Sequence, residues 1–147
     1  TAMLRDDQPV IGITDSFTTG DGKVFLLNLM NNGPIETPRG VKNVGDGFAI
    51  PAGVTKLRYT GQQFDKHPAG GIDWDLYVIT DAPQEVFIAQ YAHKNVKPET
   101  QSILRLKGTG KFQVLIVPYA KGTQPAVTVT QRNGAVMVTA GAAKATF

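Results

Sequence analysis

Short apolar or alternating runs, divided by turns rich in glycine and proline, follow one another along almost the whole chain, and no amphipathic stretch of helical spacing interrupts them. A strand needs only alternate residues facing one way, whereas a surface helix needs an apolar residue about every three to four positions. The pattern therefore predicts an all-β protein. Lys23-Val24-Phe25-Leu26-Leu27-Asn28-Leu29-Met30 follows the turn pair Asp21-Gly22, is too apolar and too short for a surface helix, and is expected as a central strand. Val54-Thr55-Lys56-Leu57-Arg58-Tyr59-Thr60 alternates imperfectly, because Leu57 falls out of phase with Val54, and Lys56 and Arg58 are expected to seek water. In Trp74-Asp75-Leu76-Tyr77-Val78-Ile79, period two puts Trp74, Leu76 and Val78 on the core face and Asp75, Tyr77 and Ile79 on the other.

The second half continues the pattern. Val86 to Tyr91 is a short strand, and Ser102 to Lys107 and Lys111 to Val117, around Gly108-Thr109-Gly110, are expected as a hairpin. A second hairpin is expected across Asn133-Gly134, the dipeptide best able to take positive φ at both turn positions, or one strand with an extension. In sum the fold class is an antiparallel β-sandwich or jelly roll of about eight or nine strands. Residues 10–139 form its single domain, 1–9 an N-terminal extension in which Thr1-Ala2-Met3 reads as a cloning remnant, and 140–147 a small-residue tail.

At 147 residues the chain can bury about two thirds of its unfolded surface, so it needs no staple, and it contains no cysteine to make one. No apolar run approaches the roughly 20 residues that span a bilayer as a helix. The net charge of +3 is unevenly spread: 82–147 holds eight Lys and Arg against Glu85 and Glu99, while 1–81 holds seven basic and ten acidic residues. A basic surface could attract acidic polysaccharide, nucleic acid or an acidic domain, but the lysines mostly flank turns, where they keep edges soluble. No nucleic-acid partner is expected, since stacking aromatics are not interleaved with these charges.

Three segments read as loops: 31–40, 61–71 and 93–100. The second is longer than a hairpin needs and is the leading functional segment.

Ile50-Pro51-Ala52-Gly53, then Gly61, then Asp73-Trp74-Asp75-Leu76-Tyr77-Val78 and finally Phe112-Gln113-Val114-Leu115-Ile116-Val117-Pro118-Tyr119 form an order that resembles the bacterial pre-peptidase C-terminal domain, over residues 41–131. That resemblance implies a small β-sandwich attached to a secreted protease or other exported enzyme, hence an extracytoplasmic location and an accessory role. Residues 10–47 have no assigned counterpart, and the loop before Asp73 is longer than the family's pattern.

Asp73 and Asp75 share a face of their strand, so their carboxylates could meet a hard cation together with carbonyl oxygens of Gly70 or Gly71, and calcium suits oxygen-only ligation. Asp81 could join only if the next turn folds back. The competing reading is a solvated edge or a cap for loop amides, since two carboxylates do not complete a shell of six to eight oxygens. No cofactor is expected beyond that ion. Trp74, the sole tryptophan, is expected as a core anchor. Tyr77 on the opposite face is the candidate exposed platform for a carbohydrate ring, a collagen-like chain or a peptide, extended by Phe64, Tyr91 and Tyr119; each could equally pack beneath a loop.

Catalysis finds little support. Ser16 and Ser102, with His67 and His93, lie in no nucleophile-elbow pattern. His67 and Asp65 could begin a zinc site whose further ligands are not indicated, and Gly108-Thr109-Gly110-Lys111 lacks both phosphate-loop spacing and a following helix. The expected role is a non-catalytic binding or accessory module of a larger secreted or cell-surface bacterial protein. Its partner would be a polysaccharide, a protein polymer or a neighbouring domain of the same chain. The alternative is a structural assembly unit making protein contacts.

Overall fold

The computed structural model describes the backbone of residues 2–5, 8–17, 23–30, 35–37, 42–44, 47–60, 71–92, 100–108 and 110–147, and side chains within 9–16, 36–37, 48–60, 71–86 and 111–147. Over the described residues the chain is all-β, with fourteen strands: β1 (Ala2–Arg5), β2 (Gln8–Phe17), β3 (Lys23–Met30), β4 (Ile35–Glu36), β5 (Lys42–Val44), β6 (Gly47–Ile50), β7 (Gly53–Tyr59), β8 (Ile72–Thr80), β9 (Gln84–Ala92), β10 (Thr100–Gly108), β11 (Gly110–Ala120), β12 (Val127–Arg132), β13 (Ala135–Ala140) and β14 (Ala143–Thr146). Nine of them, β2, β3 and β7 to β13, are six residues or longer; eight of these, β3 and β7 to β13, are the strands read from the sequence, and β2 is one that the reading did not name. The short ones lie in or beside the turn-rich and terminal segments.

Every pairing is antiparallel, in sheets ordered β1-β2-β11-β8-β7-β4, β3-β10-β9-β6-β5 and β12-β13-β14. The first two orders mirror each other: β2 and β3, β11 and β10, β8 and β9, β7 and β6, β4 and β5 occupy matching places, and each of these pairs is consecutive in sequence. The chain therefore passes between these two sheets at six connections, β2 to β3, β3 to β4, β4 to β5, β6 to β7, β8 to β9 and β10 to β11. This corrects the hairpin expected across 108–110: β10 pairs with β3 and β9, while β11 pairs with β2 and β8. Changing sheets gives both strands partners on two edges, which satisfies more buried backbone groups than a lone hairpin would. It also corrects the place of β3, which stands at one edge of its sheet with β10 as its neighbour.

The hairpin at Asn133-Gly134 forms as expected. Asn133 has φ 50° and Gly134 φ 76°, the two left-handed residues that a type I′ turn requires, and β12 pairs with β13 in register from Val127↔Ala140 to Arg132↔Ala135. The small-residue tail is also a strand: β14 pairs with β13, and Phe147 and Val136 exchange backbone hydrogen bonds of 2.9 and 3.2 Å. The N-terminal extension likewise supplies β1, at the edge of the six-stranded sheet.

The six-stranded sheet carries a buried cluster on each face. One joins Leu57, Tyr59, Leu76, Val78, Phe112, Val114 and Ile116 to Phe48, Ile50 and Val86 of the five-stranded sheet, with Trp74 packed against it. The other joins Val10, Tyr77, Ile79, Leu115 and Val117 to Val136, Val138 and Ala140 of the three-stranded sheet. Val54 packs into this second cluster, so the phase break between Val54 and Leu57 reflects a strand with apolar neighbours on both faces. Trp74, Leu76 and Val78 share the expected core. Tyr77 and Ile79, expected outside, are 4% and 2% exposed because a further layer covers them.

Gly12 marks how closely that layer is laid on. A methyl group there would sit 2.8 Å from Phe147 Cδ1 and 3.3 Å from Leu115 Cδ2. Gly12→Ala should therefore cost about 1–3 kcal/mol in urea unfolding. Adding Phe147→Ala should recover part of that loss, because the ring is what the methyl meets first.

Candidate functional site

The best-built polar constellation surrounds Asp75 in β8. Backbone register sets it up: β4, β7, β8 and β11 place Glu36, Arg58, Asp75 and Val117 in one cross-strand row, with Lys56 opposite Tyr77 one step along. Residues directly opposed on antiparallel strands share a face, so acid, base and acid alternate along the row. Asp75 is fully buried, and both its oxygens are engaged. Lys56 Nζ lies 2.6 Å from Oδ2 and Arg58 Nε 3.2 Å from Oδ1. Tyr119 OH donates to Oδ1 at 3.1 Å and Gln124 Nε2 to Oδ2 at 2.8 Å. Gln124 comes from the connection between β11 and β12, whose turn is held by bonds from Thr123 N and Oγ1 to Ala120 O at 2.9 and 2.7 Å.

Burial alone would raise the Asp75 carboxyl. The hydrogen bonds from Lys56 and Gln124, the charge of Lys56 and the bond from Arg58 outweigh it and hold the group below its ordinary value. Desolvation pulls the other way on Arg58, and Asp75 overrides it, so the guanidinium is held more firmly protonated. Tyr119 is pushed well above the usual phenol value by burial and then by the Asp75 charge that its hydroxyl bonds. A carboxylate held ionised by four donors is a poor proton acceptor, so Asp75 orients its neighbours instead of acting as a base.

What Asp75 orients is two cations. Lys56 and Arg58 have side chains 37% and 31% exposed, and with Glu36 and Thr37 they line an open cleft of about 290 Å³. Lys56 Nζ also stands 5.3 Å from the centre of the Tyr77 ring, within reach of a cation–π contact. Glu36 Oε2 is 3.6 Å from Arg58 Nη1, at the rim.

The residues singled out from sequence are distributed differently from expectation. Tyr77 is no exposed platform: its ring is in the second cluster and its hydroxyl donates to Val127 O at 3.2 Å, with burial and then the Asp75 charge pushing it up to about 12. Tyr119 is 8% exposed and spends its hydroxyl on Asp75. Phe64 and the Tyr91 side chain lie outside the described residues, as do the long loop 61–70, His67 and His93. Asp75 faces a lysine and an arginine in place of water, which works against a calcium shell because those cations already fill its oxygens and repel a further one. Asp73 is 7% exposed, and its buried Oδ1 has no hydrogen-bond partner among the described residues. Among the described residues no group of three or more His, Asp or Glu could hold a metal ion, and no helix is long and apolar enough to cross a membrane.

Sequence reading missed Lys56, Arg58, Glu36 and Gln124 as members of a site. The signal for the first two was present: basic residues two apart on β7 precede a strand whose acids are also two apart, and antiparallel pairing of neighbours brings such sets together. Comparison of the chain with protein-family models, with curated proteins and with solved structures returned no match.

Proposed function

We propose that this chain is a non-catalytic binding module of a larger exported protein, and that it meets its ligand at the cleft over Lys56 and Arg58. The observation that carries the reading is the saturation of Asp75: the best-ordered polar group is spent on fixing two half-exposed cations at the floor of an open cleft, as a recognition site requires. The resemblance of 41–131 to pre-peptidase C-terminal domains supports the accessory role and the extracytoplasmic setting. Incubation of the purified chain with insoluble polysaccharides and with collagen, with and without a calcium chelator, tests it. Retention on at least one matrix is expected, and recovery in the unbound fraction from every matrix would overturn it.

The second reading, a structural assembly unit, is favoured by Met137, which is 41% exposed on the three-stranded sheet. Concentration-dependent sedimentation that Met137→Glu abolishes would replace the first reading with this one.

A further inference from the structure

We infer that the cleft is a receptor for an oxyanion, the carboxylate or sulfate group of an acidic polysaccharide, with Arg58 as the recognising fork and Glu36 as an internal competitor for it. The inference rests on the proposed binding role and names its ligand class.

Three features of the cleft carry it. The first is charge. Lys56 and Arg58 bring two positive charges to one end of the sheet face, and beneath them Asp75 supplies one negative charge that is completely buried. The floor is therefore positive toward solvent, and the only acid of the row that reaches the rim is Glu36, whose side chain is 58% exposed.

The second is order. Long cationic side chains on a surface lose rotamer freedom when they bind, which weakens recognition. Here that freedom is already restricted. Arg58 is pinned through Nε at 3.2 Å and Lys56 through Nζ at 2.6 Å, each to a different oxygen of one carboxylate, and that carboxylate is itself fixed by Tyr119 and Gln124. Both cations stand on β7, an interior strand of the six-stranded sheet, in place of a loop.

The third is the contact with Glu36. A guanidinium binds a carboxylate best through two parallel bonds of about 2.7–2.9 Å, but Glu36 approaches Arg58 Nη1 only to 3.6 Å. The acid shows which chemical group this edge of Arg58 accepts, and its distance shows that the acceptance is incomplete. An incoming carboxylate or sulfate has a better contact to offer than the one it displaces. Thr37 beside it adds a hydroxyl to the cleft wall. A neutral sugar can accept hydrogen bonds from these cations but brings no charge to meet theirs, so the charge-assisted contact belongs to an acidic polymer alone and acidity decides recognition.

The test is affinity chromatography and titration of the whole chain against polygalacturonate, heparin and neutral dextran at constant ionic strength. Polygalacturonate and heparin separate a carboxylate from a sulfate preference. Binding to at least one acidic polymer and none to dextran is expected, weakening as salt rises. Arg58→Gln should lower affinity at least tenfold, and Glu36→Gln should raise it several-fold, since it removes the competitor without adding a cation. Glu36→Gln keeps the test decisive if Arg58→Gln does not fold. Binding that neither variant changes would overturn the inference, as would retention on neutral matrices alone, in which case the binding role itself stands. Loss of retention on all three polymers would overturn the inference, and loss on collagen as well would remove the binding role with it.

Discussion

Leu115→Ala is expected to lower the free energy of unfolding by about 2–5 kcal/mol, the range for a fully buried leucine whose surroundings cannot collapse into the space. Leu115 has no exposed surface and belongs to the cluster between the six-stranded and three-stranded sheets, with Tyr77, Val117, Val136 and Val138. Its Cδ2 would lie 3.3 Å from a methyl group added at Gly12, the residue opposite it on β2, so the packing around it is already close. The same substitution at Leu76, on the other face, should cost a similar amount, because that side chain is equally buried in the first cluster. Met137→Ala, at an outward position 41% exposed, should stay within about 0.5 kcal/mol of the unaltered chain. Urea unfolding of the three variants measures this directly. A cost below about 1 kcal/mol at Leu115, with the full cost at Leu76, would mean that only one face of the sheet is covered.

Asp75→Ala is expected to cost about 2–4 kcal/mol. Breaking a buried ion pair costs roughly 3–5 kcal/mol when the surviving charge is left buried, but here Lys56 and Arg58 are 37% and 31% exposed and can turn to water, which reduces the loss. The hydroxyl of Tyr119 has less freedom to do so. Asp75→Asn keeps the shape and removes the charge, and should cost about 1–3 kcal/mol. The pH dependence has a definite sign. The folded carboxyl titrates below its unfolded value of 3.8, so its contribution is fully present above that value and is lost as pH falls through the lower folded one. The difference between the native chain and Asp75→Asn should thus be constant from neutrality down to about pH 5, then shrink below about pH 4. A difference that grows with acidity would contradict the ion-paired assignment.

Most of the strands were legible, because alternation and turn residues are local properties. Ile50-Pro51-Ala52-Gly53 marks the passage from β6 to β7 in the other sheet, where Gly53 takes φ 102°, and Asn133-Gly134 marks a hairpin. Periodicity tells which residues share a face but says nothing about what that face meets. Tyr77 and Ile79 were assigned to the second face correctly and to solvent incorrectly. The clue against solvent was continuity: Leu76-Tyr77-Val78-Ile79 and Val114-Leu115-Ile116-Val117 are apolar on both parities, the mark of a strand covered on both sides. A short link such as Gly108-Thr109-Gly110 fits a hairpin and a change of sheet alike, and only the strands competing for the free edges decide between them. The site was half legible for the same reason. Asp75 was found, and the matched spacing on β7 held a signal for Lys56 and Arg58, but Tyr119 and Gln124 lie on β11 and in the turn after it, at separations that no local spacing encodes.

The claim on which the rest depends is that the face bearing Asp75, Tyr77 and Ile79 is inside the protein. The chain has no cysteine of its own, so single cysteines report their surroundings without background. Under native conditions the thiol of Ile79→Cys should react with an aromatic disulfide reagent about a thousandfold or more slowly than that of Met137→Cys, since it is reached only through an opening of the covering sheet. Equal rates for the two would show that face open to water and contradict the account.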